Sequence, residues 1–74
     1  MKKGIYSKAH KKIVEKLKQA RKEAGLDQQE VARQLGKTQS YVSKLESGQR
    51  KLDILQIKEL AEIYHKKITD FIED

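Results

Sequence analysis

The sequence predicts an all-α protein, a single compact domain built from five short helices. Apolar residues recur at intervals of three and four, as on the buried face of a helix, and candidate capping residues precede these stretches. A glycine follows each of the first three stretches, where a helix would end. A chain of 74 residues without cysteine or proline has room for one domain. Such a domain depends on close helix packing and is marginal unless it also oligomerises.

The first two helices are predicted from their caps. Ser7 is a candidate N-cap for a helix that extends to about Ala24, and Gly25 ends this helix because glycine adopts the left-handed conformation at low cost. Asp27 and Glu30 are expected to form a capping box at the start of the second helix. The expected inward residues are Ile13, Leu17, Ala20 and Ala24 in the first helix and Val31, Ala32 and Leu35 in the second.

The third helix follows a turn centred on Gly36. Thr38 caps it, it runs from Gln39 to about Glu46, and Gly48 stops it. The second helix, the glycine turn and the third helix together have the layout of a helix-turn-helix that reads DNA.

The last two helices complete the predicted domain. Asp53 and Gln56 make a second capping box, which opens a fourth helix that continues through Tyr64, and Thr69 is a candidate cap for a short final turn. The apolar residues are Ile57, Leu60, Ala61 and Tyr64 in the fourth helix and Phe71 and Ile72 in the last turn. We expect residues 11–74 to form the domain. Residues 1–10 are a basic extension that could lengthen the first helix, lie along DNA or remain disordered.

The net charge of +6 is distributed unevenly along the chain. Residues 1–51 carry 14 lysines and arginines against five acidic residues, whereas residues 52–74 carry three against six. A basic surface favours phosphate backbones or anionic lipid headgroups as partners. A purely solubilising role is equally compatible with the lysines near the amino terminus, which are Lys2, Lys3, Lys8, Lys11 and Lys12.

Several classes of function find no support in the sequence. Without cysteine, an intracellular location fits better than secretion, and no stretch is apolar enough for a signal peptide or a membrane span. We therefore expect a soluble, cytoplasmic protein. His10 and His65 have no partner at metal-ligand spacing, and no carboxylate pair or nucleophile-base spacing appears. Neither an enzyme activity nor a metal or cofactor is predicted.

The third helix has an outward face suited to base edges. At about 100° per residue, Val42 and Leu45 point inward and Glu46 lies to one side, away from the phosphates that would repel it. Small polar side chains allow close approach in the major groove. The outward residues are Ser40, Ser43, Lys44 and Ser47, with Gln39 at the leading edge. Because any exposed helical face is polar, this face is weak evidence by itself.

Three motifs strengthen that evidence. They are Leu-x-x-Ala-Arg-x-x-x-Gly-Leu over 17–26, Gln-x-Glu-Val-Ala-x-x-Leu-Gly over 28–36 and Gln-Ser-Tyr-Val-Ser-Lys-Leu-Glu-x-Gly over 39–48. Together with Arg-Lys-Leu-Asp over 50–53, they resemble the phage repressor and Cro family of helix-turn-helix domains, also called the XRE family. The resemblance implies a lambda-repressor-like fold and a regulator that binds double-stranded DNA.

The resemblance also implies roles for individual residues. It assigns base reading to Gln39, Ser40, Ser43 and Lys44 in the third helix. The expected phosphate contacts are Gln28, Lys37, Thr38, Tyr41, Arg50 and Lys51. Gln28 is also expected to support Gln39, and Lys37 stands where many family members have an apolar residue. Arg21 and Glu46 match a structural ion pair of the family, in which arginine binds the carboxylate through two hydrogen bonds.

A homodimer on a palindromic operator is expected, because one recognition helix makes too few base contacts for specificity in a genome. The expected dimer surface is the apolar C-terminal region, Ile63, Tyr64, Phe71 and Ile72, although the same residues could instead close the core. An alternative is an antitoxin or adaptor of the same fold whose main partner is another protein.

Overall fold

Five helices account for most of residues 7–73, the part of the chain that the computed structural model describes. They are α1 (Lys8–Glu23), α2 (Gln28–Leu35), α3 (Gln39–Glu46), α4 (Ile54–Ile63) and α5 (Thr69–Ile72). The all-α, five-helix prediction is confirmed. Of the predicted extension, Lys8, Ala9 and His10 form the first turn of α1, and residues 1–6 lie outside the described part. None of the helices within 7–73 has the length and apolarity needed to cross a bilayer.

The predicted N-caps of the first four helices are confirmed. In each case the cap side chain accepts a hydrogen bond from the backbone N–H three residues later. The caps and donor–acceptor distances are Ser7 (3.2 Å), Asp27 (2.8 Å), Thr38 (3.1 Å) and Asp53 (2.8 Å). Gln56 completes a full capping box, because its side-chain oxygen accepts from the Asp53 N–H at 2.9 Å.

The capping box predicted at the start of α2 is only half formed. Asp27 accepts from the Glu30 N–H, but the Glu30 carboxylate binds Arg33 and Gln34 instead of the Asp27 backbone. The reciprocal half of the prediction is therefore wrong. Glu30 has two donors one turn further along the same helix, and a charged guanidinium is the stronger partner for a carboxylate.

The predicted cap of α5 is also wrong. Thr69 is the first residue of the helix, and the preceding Ile68 makes no capping hydrogen bond through its side chain. The Asp70 carboxylate instead accepts a hydrogen bond from the Lys67 N–H at 2.9 Å, in the turn that precedes the helix. The turn before α5 contains His65 at φ 59°, a left-handed conformation that non-glycine residues adopt at a cost.

The core contains residues from all five helices. Its buried members are Leu17, Ala20, Val31, Ala32, Val42, Leu45, Ile57, Leu60, Ala61, Tyr64 and Phe71. Ile13, Ala24 and Leu35, which were expected to point inward, are only partly buried and pack against the edge of this cluster. In the first half of α1, Val14 is the more deeply buried residue, at 3% exposure.

Two of the four residues of the predicted dimer surface belong to this core, which corrects that part of the prediction. Tyr64 and Phe71 are each only 3% exposed, so they are not available to a second chain. Burial, followed by the nearby Glu46 carboxylate, raises the pKa of the Tyr64 hydroxyl well above its ordinary value. Ile63 is half-buried against the core, and Ile72 is 47% exposed.

Candidate nucleic-acid interface

The turn between α2 and α3 holds the two helices against each other. Gly36 has φ 71°, and the Lys37 N–H returns to the Ala32 carbonyl at 2.9 Å, which closes the end of α2. Val31 and Val42, one from each helix, are 0% and 1% exposed. The buried valines and the closed turn fix the orientation of α3, and with it the direction of its outward face.

The outward face of α3 has unpaired polar side chains. Ser40, Ser43 and Lys44 are exposed, and within residues 7–73 their side chains make no hydrogen bond or ion pair. Ser47, also exposed, donates its hydroxyl to the Lys44 carbonyl at 3.1 Å. Three adjacent residues of one helix face can therefore bind an external partner without breaking any contact within the described chain.

Arg21 and Glu46 form the predicted ion pair beneath this face. Arg21 donates from Nε to Glu46 Oε2 at 2.7 Å and from Nη2 to Oε1 at 3.1 Å, and its Nη1 reaches the Leu26 carbonyl at 2.8 Å. The hydrogen bond with Glu46 is the main cause that raises the pKa of the Arg21 guanidinium. Glu46 is 7% exposed, and it is the buried charged residue among those described. The negative charge of its carboxylate is thus paired with Arg21, and the carboxylate points away from the outward face.

Gln28 extends this network to the leading edge of α3. Its Nε2 donates to Glu46 Oε1 at 3.0 Å, and its Oε1 accepts from Gln39 Nε2 at 3.3 Å. The bond to Gln28 leaves Gln39 with its own oxygen and one N–H, the acceptor and donor that an adenine edge requires. Four side chains therefore connect α1 to the first residue of α3. One N–H of the Gln28 amide makes no contact within residues 7–73, so this N–H and the N-terminus of α2 are the donors that remain for a phosphate contact.

Three of the predicted phosphate contacts lie together around one aromatic ring. The Arg50 guanidinium carbon is 4.6 Å from the centroid of the Tyr41 ring, and Lys37 Nζ is 5.4 Å from the same centroid. Gln56 donates from Nε2 to the Tyr41 hydroxyl at 2.7 Å, which fixes the ring from the side of α4. We call Lys37, Tyr41 and Arg50 the Tyr41 cluster. Its two cations contact the same aromatic ring.

The remaining predicted contacts are exposed. Thr38 uses its oxygen as the α3 cap and keeps its hydroxyl proton for another acceptor. Lys51 follows Arg50 in the loop between α3 and α4, and no polar contact within residues 7–73 engages it. Both side chains can reach a partner outside the chain.

Two residues of this region were not predicted. Gln56 was assigned a capping role alone, and His10 was considered isolated, but its Nε2 lies 2.9 Å from the Arg50 carbonyl oxygen. The Gln56 contact with Tyr41 spans 15 positions and the His10 contact with Arg50 spans 40, so neither contact has a signal in a single sequence.

A helix-turn-helix whose second helix presents unpaired polar side chains beside clustered cations defines a DNA-binding protein. A family model described as Helix-turn-helix (HTH_3) matches residues 17–71. The match covers most of the chain, and the protein belongs to this XRE-type family of DNA-binding regulator domains. Comparisons with curated proteins and with solved structures gave no match. Within residues 7–73, no three His, Asp or Glu residues lie close enough together to hold a metal ion.

Proposed function

We propose that the protein is a sequence-specific, non-enzymatic transcriptional regulator that places α3 in the major groove of an operator and acts in the cytoplasm. The observation that carries this proposal is the unpaired outward face of α3, next to the Tyr41 cluster. Ser40, Ser43 and Lys44 read base edges, with Gln39 held by Gln28 at the leading edge. Lysine matches the O6 and N7 acceptors of guanine, and the glutamine amide matches adenine.

Phosphate contacts next to this face set the register. Lys37 and Arg50 stack on Tyr41, whereas Thr38 and Lys51 are exposed beside them. Contacts of this kind position the protein on the duplex and do not specify sequence. They also release counterions, so the affinity for any duplex falls steeply with salt.

A homodimer is part of this proposal, because doubling the site supplies the specificity that one helix lacks. The two half-sites would lie about 34 Å apart on one face of the duplex. With Tyr64 and Phe71 in the core, we assign the dimer surface to the remaining C-terminal residues, Ile63 and Ile72. Ile72 is 47% exposed, so its side chain is accessible to a second chain.

Selection from random duplex DNA by the full chain tests the proposal. We expect a palindromic consensus whose half-sites are one helical turn apart. Enrichment of no sequence would contradict sequence-specific regulation. If a second protein also co-purified in stoichiometric amounts, the result would favour the adaptor or antitoxin alternative.

A further inference from the structure

A side chain from the first turn of α1 contacts the loop between α3 and α4. His10 Nε2 lies 2.9 Å from the Arg50 carbonyl oxygen, across 40 positions of sequence. A carbonyl oxygen can only accept, so the ring nitrogen donates and must carry a proton. Both the neutral Nε2–H tautomer and the imidazolium meet this requirement.

Among residues 7–73, this contact is the one that reaches the backbone in the middle of the loop. The loop begins at the Gln49 N–H, which bonds to the Lys44 carbonyl at 3.0 Å, and it ends at Asp53 in the capping box. Between them, within the described residues, the backbone of 50–52 makes one hydrogen bond, which is the bond from His10. The same stretch carries Arg50 and Lys51, both assigned to phosphates.

We propose that His10 is a positioning residue for DNA-backbone binding, which rests on the proposed function. By holding the Arg50 carbonyl, it fixes the main chain from which the Arg50 side chain extends over Tyr41. The Arg50 side chain is then held at both ends. The Tyr41 ring contacts its guanidinium, and the His10 hydrogen bond orders the backbone to which it is attached. A loop ordered before binding loses less conformational entropy when it meets the duplex.

A double-mutant cycle tests whether His10 acts through Arg50. We expect His10→Ala to weaken binding to operator and to random duplex by the same factor, about three- to tenfold, as for the loss of one hydrogen bond. In an Arg50→Ala background the same change should cost less than about twofold, because the positioned group is absent. Equal effects in both backgrounds would overturn the proposal and indicate that His10 contacts DNA itself.

Two further variants separate the hydrogen bond from the ring. His10→Gln retains an N–H donor of similar reach and should keep most of the affinity, whereas His10→Phe keeps an aromatic ring without a donor and should behave as His10→Ala. Gln19→Ala, a change at an exposed residue of α1 that leaves the net charge unaltered, serves as the control for loss of a side chain from this helix. Full affinity in the phenylalanine variant would contradict the donor role.

Measurements on the free protein separate this proposal from the proposed function. Steady-state ¹H–¹⁵N nuclear Overhauser effects of Arg50, Lys51 and Leu52 should fall in His10→Ala, while those of α2 and α3 stay unchanged. Long-range ¹H–¹⁵N spectra at pH 8 should show the Nε2–H tautomer of His10. Unchanged loop dynamics or the Nδ1–H tautomer would overturn the positioning role whether or not DNA binds. If the loop loses order in His10→Ala but the wild type binds no duplex, the hydrogen bond between His10 and Arg50 is supported. Only the proposed function is then contradicted.

Discussion

The guanidinium of Arg21 binds the carboxylate of Glu46 through two hydrogen bonds, Nε to Oε2 at 2.7 Å and Nη2 to Oε1 at 3.1 Å. The pair joins the end of α1 to the end of α3 at a point where the Glu46 side chain is only 7% exposed. Two charges removed from water are stable there because each satisfies the other with matched geometry.

Replacing one partner of this pair should destabilise the protein strongly. We expect Glu46→Ala to lower the free energy of unfolding by about 2–4 kcal/mol, because Arg21 is left with an unpaired, largely buried charge. DNA affinity should fall as well, since α3 loses its tie to α1. Urea denaturation and DNA titration measure the two effects. Unchanged melting together with unchanged affinity would contradict a structural role for the pair.

Gln28 should affect specificity more than stability. Gln28→Ala removes the acceptor that orients the Gln39 amide, so we expect the ratio of operator to random-duplex affinity to fall about three- to tenfold. Glu46 keeps both Arg21 hydrogen bonds, and the unfolding free energy should change by less than about 1.5 kcal/mol. Equal losses on both DNAs would instead indicate a phosphate contact.

Lys44 and Arg50 are two cations of the candidate interface that we expect to have different roles. Lys44→Ala should relax the consensus at one base position, whereas Arg50→Ala should weaken binding to every sequence and reduce the slope of log affinity against log salt by about one. Repeating the random-duplex selection with each variant, alongside salt titrations, distinguishes them. The division of roles fails if both variants lose the same amount on operator and random DNA.

Stability at low pH should depend on Glu30. Hydrogen bonds from Arg33 first, and then from Gln34, lower the pKa of the Glu30 carboxyl from 4.5 to about 2. Because the pKa is lower in the folded state, ionised Glu30 stabilises the fold above about pH 5, and this contribution is lost as the pH falls towards 2. The stability difference between wild type and Glu30→Gln should shrink over that range. In Arg33→Ala, a ¹³C titration should show the pKa of Glu30 raised, and an unmoved pKa would rule out Arg33 as the cause.

The dimer should depend on Ile72. Ile72→Asp places a charge in the proposed interface, so we expect monomers by sedimentation equilibrium with unchanged helix content. Leu55→Asp is the matched control, since Leu55 is 68% exposed and lies outside the proposed surface. Dissociation by the Leu55 change alone would move the interface to the start of α4.

Phe71→Ala should instead lower the free energy of unfolding by about 3–5 kcal/mol, as expected for a core position.

Much of the fold could be predicted because its signals are local. Ser7, Asp27, Thr38 and Asp53 lie three residues before the N–H groups that they cap, so spacing alone identifies them. The inward residues of α3 follow equally from the helical repeat. The prediction failed where two local partners competed, as for the Glu30 carboxylate, which binds Arg33 and not the Asp27 backbone.

The candidate site could be predicted only in part. The helical repeat predicts which residues of α3 point outward. The contacts that support these residues, however, join separate elements of the fold. The Arg50 guanidinium over Tyr41, the Gln56 amide on the Tyr41 hydroxyl and the His10 ring on the Arg50 carbonyl depend on tertiary packing. For the same reason Tyr64 and Phe71 could not be assigned to core or surface, since an apolar residue fits both.

In α3 the residues that hold the helix in the fold are different from those on its outward face, and this separation has a consequence for evolution. Val42, Leu45 and Glu46 anchor the helix, whereas Ser40, Ser43 and Lys44 make no side-chain polar contact within residues 7–73. Substitutions at these three positions therefore leave the fold almost untouched, because surface changes away from caps and ion pairs cost little stability. Under the proposed function, a few such changes would retarget a descendant of this protein to a new operator, without compensating mutations elsewhere in the scaffold.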